Sequence, residues 1–259
     1  PATYPVEPVN GCLVSGMGAP ASTSEYCYPA SLREELLAAV PDYEVQPAGI
    51  FEPRGREPEM QRAVQAMTEM RTRAALHLLR REVWDLFMVV FMAADMVQHY
   101  FWHYMDPTHE RHDPGAAPEL QTAIRDCYRQ LDESLARILE AVDDETLLVV
   151  MSDHGFGPQE RHLHTNVWLW QEGYLCFKRN PVARLKEWAF RAGFTPANVY
   201  EALYGLRTSA RVEQGIQRNR HAIRDWVDRV FLSFHDVDWA HTRAYSVGNL
   251  GPIYVNLRG

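Results

Sequence analysis

Two apolar runs constrain this chain more than any other feature: Trp84 to Ala94, interrupted only by Asp85, and Thr146 to Met151. Neither alternates polar with apolar residues, which is the pattern of a strand buried on both faces, as in parallel sheets. Between them Leu120, Ile124, Cys127, Leu131, Leu135, Ile138 and Val142 recur in steps of three or four, predicting an amphipathic helix from Pro118 to Val142. Strand, helix, strand predicts an α/β fold, a mostly parallel sheet flanked by helices. Its site would lie at the carboxyl ends of the strands.

Both runs end in residues that can do chemistry. The first leads into Asp95-Met96-Val97-Gln98-His99. If a helix begins there, positions i and i+4 share a face, so a carboxylate and an imidazole can converge on one ion. The spacing alone is common, and taken by itself it favours a capping Asp with a surface His. The second run ends at Ser152-Asp153-His154-Gly155-Phe156-Gly157. Neighbouring strand residues point to opposite faces, so Asp153 and His154 share a target only where the backbone bends, which glycines make easy. Two such strand ends in one chain favour a metal site over chance. Mixed carboxylate and imidazole donors suit Zn²⁺, Mn²⁺ or Fe.

The four cysteines, Cys12, Cys27, Cys127 and Cys176, form no C-x-x-C pair and read as reduced thiols. His103, His109 and His112 follow the first motif and His162 and His164 the second; they read as loop residues or as partners of ligands, with His162 or His164 within reach of a ligand role. Tyr100-Phe101-Trp102 and Trp168-Leu169-Trp170 read as helix packing rather than as stacking platforms for a substrate ring.

Elsewhere, Val9 to Ser15 predicts a short strand followed by a loop over Gly16 to Pro29. Ser31 to Val40 predicts a helix with a Ser31–Glu34 capping box, ended by Pro41. After a Pro/Gly-rich loop from Pro47 to Pro58, Met60, Val64, Met67, Ala74, Leu78 and Leu79 predict a long helix over residues 59–81. From Trp168 to about Val230 the pattern is helical without a further long apolar strand, and Ala244 to Leu257 returns to β structure. The expected organisation is an α/β core over 1–166 and 240–259, with a mostly helical cap or insertion over 167–239.

Charge narrows the functions available. Against 26 basic side chains stand 34 acidic ones, for a net charge of −8 over 259 residues, which excludes a broad nucleic-acid surface. The longest unbroken apolar run, Leu86 to Ala94, is too short for a membrane span of about 20 residues. An anionic ligand would need a local positive centre such as a metal.

Asp95-x-x-x-His99 and Ser152-Asp153-His154-Gly155-Phe156-Gly157-Pro158 resemble the metal motifs of the alkaline phosphatase superfamily, and most nearly those of its type I phosphodiesterase/nucleotide pyrophosphatase branch. The resemblance extends to Thr3 to Gly11, to Asn166-Val167-Trp168-Leu169 with Gly173-Tyr174-Leu175, and to Gly251 to Leu257. It implies an alkaline phosphatase-like fold and two divalent ions, Asp95 and His99 binding one, Asp153 and His154 the other. The implied reaction is hydrolysis of phosphodiester or pyrophosphate bonds in a small phosphorylated molecule such as a nucleotide. It further implies a Thr or Ser nucleophile upstream of Pro1 and a last metal-binding His after Gly259, so that the stretch alone is expected to carry an incomplete, weakly metallated and inactive site. Sulfatases, phosphomutases and phosphonate hydrolases share these motifs, and a non-catalytic relative that binds a nucleotide or phosphate is the alternative from another class.

Overall fold

Residues 4–16, 19, 25–45, 55–159, 161, 163–199, 220–248 and 251–257 are described in a computed structural model of the chain. They divide into two compact units, Pro1–Gln159 and Glu160–Gly259.

Unit 1 is a helical assembly with a small β ribbon. Strand β1 (Leu13–Val14) pairs antiparallel with β2 (Cys27–Tyr28), placing Leu13 opposite Tyr28 and Val14 opposite Cys27. Helix α1 (Leu32–Ala39) follows, then α2 (Glu57–Leu79) and α3 (Ala93–Met105). The predicted helix over Pro118–Val142 is present but broken, as α4 (Pro118–Gln121) and α5 (Ala123–Leu139). Thr122 is the joint: its hydroxyl hydrogen-bonds the Asp126 carboxylate while its own carbonyl accepts from Asp126 N at 2.9 Å. The latter is an ordinary i→i−4 bond, as is that from Thr122 N to Pro118 O at 3.1 Å, so the break is confined to one residue.

The apolar positions anticipated for α2 do form the core. Met60, Val64, Met67, Met70, Ala74 and Leu78 are buried against Ala93, Met96, Val97 and Phe101 of α3, Ile124 and Cys127 of α5, and Leu32 and Leu36 of α1. A spacing of three and four residues keeps these side chains on one stripe, and burying that stripe holds each helix in place. The predicted capping box on α1 does not form: Ser31 has helical dihedrals and makes no side-chain cap. The reason lies in the preceding turn, whose Pro29 and Ala30 carbonyls already accept from the N–H groups of Leu32 and Arg33.

The largest correction concerns the sheet. Among the described residues there is no parallel ladder, only two antiparallel pairs of short strands. Trp84–Met92 and Thr146–Met151 lie outside any helix or strand, and Ala93 and Ala94 already belong to α3. Leu86 and Met88 are 78% and 71% exposed, and Leu147 is 86% exposed. A strand reads as buried on both faces only when hydrogen-bonded neighbours flank it; among the described residues these two runs have none. Their composition states a demand for burial that the fold of this stretch does not meet.

Unit 2 contains α6 (Thr165–Gln171), α7 (Pro181–Arg191) and α8 (Arg220–Val230), with β3 (Ala244–Ser246) antiparallel to β4 (Ile253–Val255). The helical character expected for 167–239 and the return to β structure after Ala244 are both present, residues 200–219 lying outside the described part. The unit's core is small: Leu169, Leu175, Val237 and Ala244, with Trp170, Phe177 and Tyr245 against them. Polar clamps supply the rest. The Asn166 amide donates to Ser246 O and accepts from Ser246 N, both at 2.8 Å, locking α6 to β3. Gly173 (φ 74°) ends α6, with its N–H on Trp170 O and that of Tyr174 on Leu169 O, the paired bonds that favour glycine in the left-handed region. At the start of α7 the Asn180 side chain caps Ala183 N, and Pro181 occupies the first helical position, where its missing N–H costs nothing.

Candidate functional site

The first candidate pair sits where the spacing predicts. Helix α3 buries Ala93, Met96, Val97 and Phe101, which turns Asp95 and His99 outward on the opposite side, one turn apart. The Nε2 of His99 lies 3.5 Å from Asp95 Oδ1. Asp95 occupies the first turn, where a carboxylate is stabilised by the unpaired N–H groups of the helix start.

The second pair approaches the first across a long sequence separation. His154 Nε2 lies 3.8 Å from the same Oδ1 of Asp95, and 3.8 Å from Asp153 Oδ1. Asp95 is therefore the hub, its side chain 31% exposed, whereas Asp153 is 89% exposed and joined only through His154. The Nδ1 of His154 is 2.8 Å from Gly155 O, so Nδ1 carries the proton it donates and Nε2 is the nitrogen turned toward the carboxylates. That hydrogen bond, then the charge of Asp153 and that of Asp95, raise the His154 pKa above the usual imidazole value. The bend at this segment needs no special glycine: neither Gly155 nor Gly157 has a positive φ, and open space surrounds both.

A residue not singled out from the sequence holds the two segments together. The ring of Phe156 stacks on Trp102 at 5.7 Å, meets His99 edge-on at 4.8 Å, and lies 6.4 Å from His154. Trp102 is itself fixed by its Nε1–H donating to Asp106 at 3.1 Å. The available signal was the i, i+3 spacing of His99 and Trp102, which puts an aromatic ring beside the ligand face.

The donor set of two carboxylates and two imidazoles has the chemistry of a zinc-type site. Nitrogen and oxygen donors about 2.0–2.2 Å from a tetrahedral ion stand about 3.4 Å apart, close to the three spacings around Asp95 and His154. Among the described residues, however, no three His, Cys, Asp or Glu side chains gather about one point. The donors are present as pairs. His162 lies outside the described residues, and His164 takes the N-cap position of α6 in unit 2. His103, His109 and His112 group at the end of α3, with the rings of His103 and His109 6.1 Å apart and His112 Nδ1 3.0 Å from His103 O. All four cysteines are free thiols, and burial pushes those of Cys27 and Cys127 up to about 11.

A cavity of 460 Å³ elsewhere in unit 1 is lined by Arg73, His77, Arg80, Arg81 and Arg137. Its cations lie toward the ends of α2 and α5, where they offset unpaired helix carbonyls. Glu35 pairs with His77 and Arg81, and Glu69 with Arg73 and Arg137. It reads as a structural feature.

Among the described residues no helix is long and apolar enough to cross a membrane. Compared with known proteins, residues 9–241 match the model of one family, described as type I phosphodiesterase / nucleotide pyrophosphatase. No curated protein and no solved structure matches the chain.

Proposed function

The chain belongs to the type I phosphodiesterase/nucleotide pyrophosphatase family, and from that premise we propose that it hydrolyses phosphodiester or pyrophosphate bonds of a small phosphorylated, nucleotide-like substrate, with Asp95, His99, Asp153 and His154 as the ligands of two divalent ions. The observation that carries the reading is the meeting of two distant motifs at one carboxylate, Asp95 Oδ1, within 3.5 and 3.8 Å of two imidazoles. Zinc is the ion best suited to this donor set. When bound, two such ions stabilise the charge on the entering and leaving oxygens of the substrate phosphate.

This chain's own residues do the rest. Asp95 and His99 present their donors from one face of a helix whose opposite face is buried, so their spacing is set before any ion arrives. His154 offers Nε2 because its Nδ1–H is engaged by Gly155 O. Phe156 and Trp102 hold the Asp153–His154 segment against α3. No residue of this chain is assigned the role of hydroxyl nucleophile. The parallel sheet of the alkaline phosphatase-like fold belongs to the same proposal, with Trp84–Met92 and Thr146–Met151 as its strands; the exposure of Leu86, Met88 and Leu147 is what such a sheet would relieve. The helical stretch 167–239 would then select the leaving group.

Elemental analysis after purification without chelators, with zinc titration by calorimetry, tests the assignment. In the intact protein two ions are expected, and each of Asp95→Ala and Asp153→Ala should remove one. A stoichiometry of zero after zinc saturation, or unchanged content in both variants, overturns it.

A further inference from the structure

Helix α7 carries large apolar side chains outward as well as inward, where Phe190 meets Trp170 edge-on at 5.9 Å. Its inner side buries Ala183 and holds Lys186 in a pair with Asp236 at 2.9 Å. Its outer side presents Val182, Leu185 and Trp188, which are 62%, 65% and 68% exposed. Such a row of large apolar side chains marks a contact surface rather than ordinary solvent-facing helix.

The charge around that row identifies what it contacts. Residues 178–191 carry Lys178, Arg179, Arg184, Lys186 and Arg191 against Glu187 alone, in a chain of net charge −8. Arg179 and Arg184 are exposed and make no ion pair among the described residues, so their charge is free to act outward. An outer row of Trp, Leu and Val edged by arginines is the composition of a helix lying in the headgroup region of a bilayer. There the tryptophan sits at the interface and cations meet anionic lipid.

We propose that the outward face of α7 docks the protein onto an anionic phospholipid surface, a binding function separate from the hydrolytic site. Eleven residues with three apolar contacts give weak, reversible association that depends on both the apolar row and the charge.

The test is sedimentation of the full chain with phosphatidylcholine vesicles, with and without about 30 mol % phosphatidylglycerol. Binding should be at least about fivefold stronger with the anionic lipid and should collapse at high salt. The double variant Leu185→Ser/Trp188→Ser and the charge variant Arg179→Glu/Arg184→Glu should each lose that binding, while circular dichroism stays unchanged because all four side chains are exposed. Equal sedimentation with neutral and anionic vesicles overturns the proposal, as does binding untouched by both variants, or Trp188-dependent dimers without lipid in the ultracentrifuge. None of these readouts uses hydrolysis, so the proposal and the metal-centre assignment fail separately.

Discussion

The two units of this chain are built on opposite electrostatic and packing strategies. Residues 1–159 carry 12 basic against 25 acidic side chains, a net of −13, whereas residues 160–259 carry 14 against 9, a net of +5. Unit 1 rests on a broad apolar core shared by helices α1 to α5 and the β ribbon. Unit 2 has a core of four buried residues and relies on clamps such as Asn166–Ser246 and Lys186–Asp236. The acidic unit holds the candidate ligands, where negative charge favours cations and repels a phosphate. The basic unit has the opposite preference.

If that contrast is right, the units should respond to different substitutions. Phe101→Ala in unit 1 removes a side chain of 0% exposure and should cost about 4 kcal/mol, the range for emptying a core aromatic site, read as a lowered midpoint in denaturant. In unit 2 the largest loss should come from a polar change. Asp236→Asn leaves Lys186 charged in a site where both side chains are about 10% exposed, and should cost about 3 kcal/mol. Replacing both members with apolar residues should recover much of that loss, and failure of a double-mutant cycle to show it would remove the contrast. Asn166→Ala should cost about 1–2 kcal/mol through two orphaned backbone groups of Ser246, visible as faster hydrogen exchange along β3.

The smallest effect concerns pH. The hydroxyl and N–H of Thr108, and then Trp102, hold the Asp106 carboxyl below its usual range. A depressed carboxylate contributes stability above its unfolded pKa and loses it as pH falls through the folded value. The difference in melting temperature between the native chain and Asp106→Asn should therefore be present at neutral pH and vanish in strong acid. A difference independent of pH would show that Asp106 acts by shape alone.

Much of this architecture is legible from periodicity. The stripes of α2 and α5 announce both helices and their buried faces, because a 3.6-residue repeat has one geometric solution. The spacing of Asp95 and His99 likewise places them on one helix face before any partner is known. The short hairpin after Ala244 follows from its β-rich composition. The capping box predicted on α1 is absent because residues 31 and 34 carry no information about which carbonyls the preceding turn presents. The two apolar runs were read as sheet strands because composition records a preference for burial while pairing is a property of the neighbours.

The sequence by itself determined which helices are amphipathic, and that acidic side chains are in excess over residues 1–159 and basic ones over residues 160–259. Only the tertiary structure decided that Asp95 is shared by His99 and His154, that Phe156 closes on Trp102, and that Val182, Leu185 and Trp188 face outward. The physical reason is range. Helical periodicity is set by hydrogen bonds four residues apart, whereas the meeting of residues 95 and 154 depends on how whole elements pack, which no local pattern encodes.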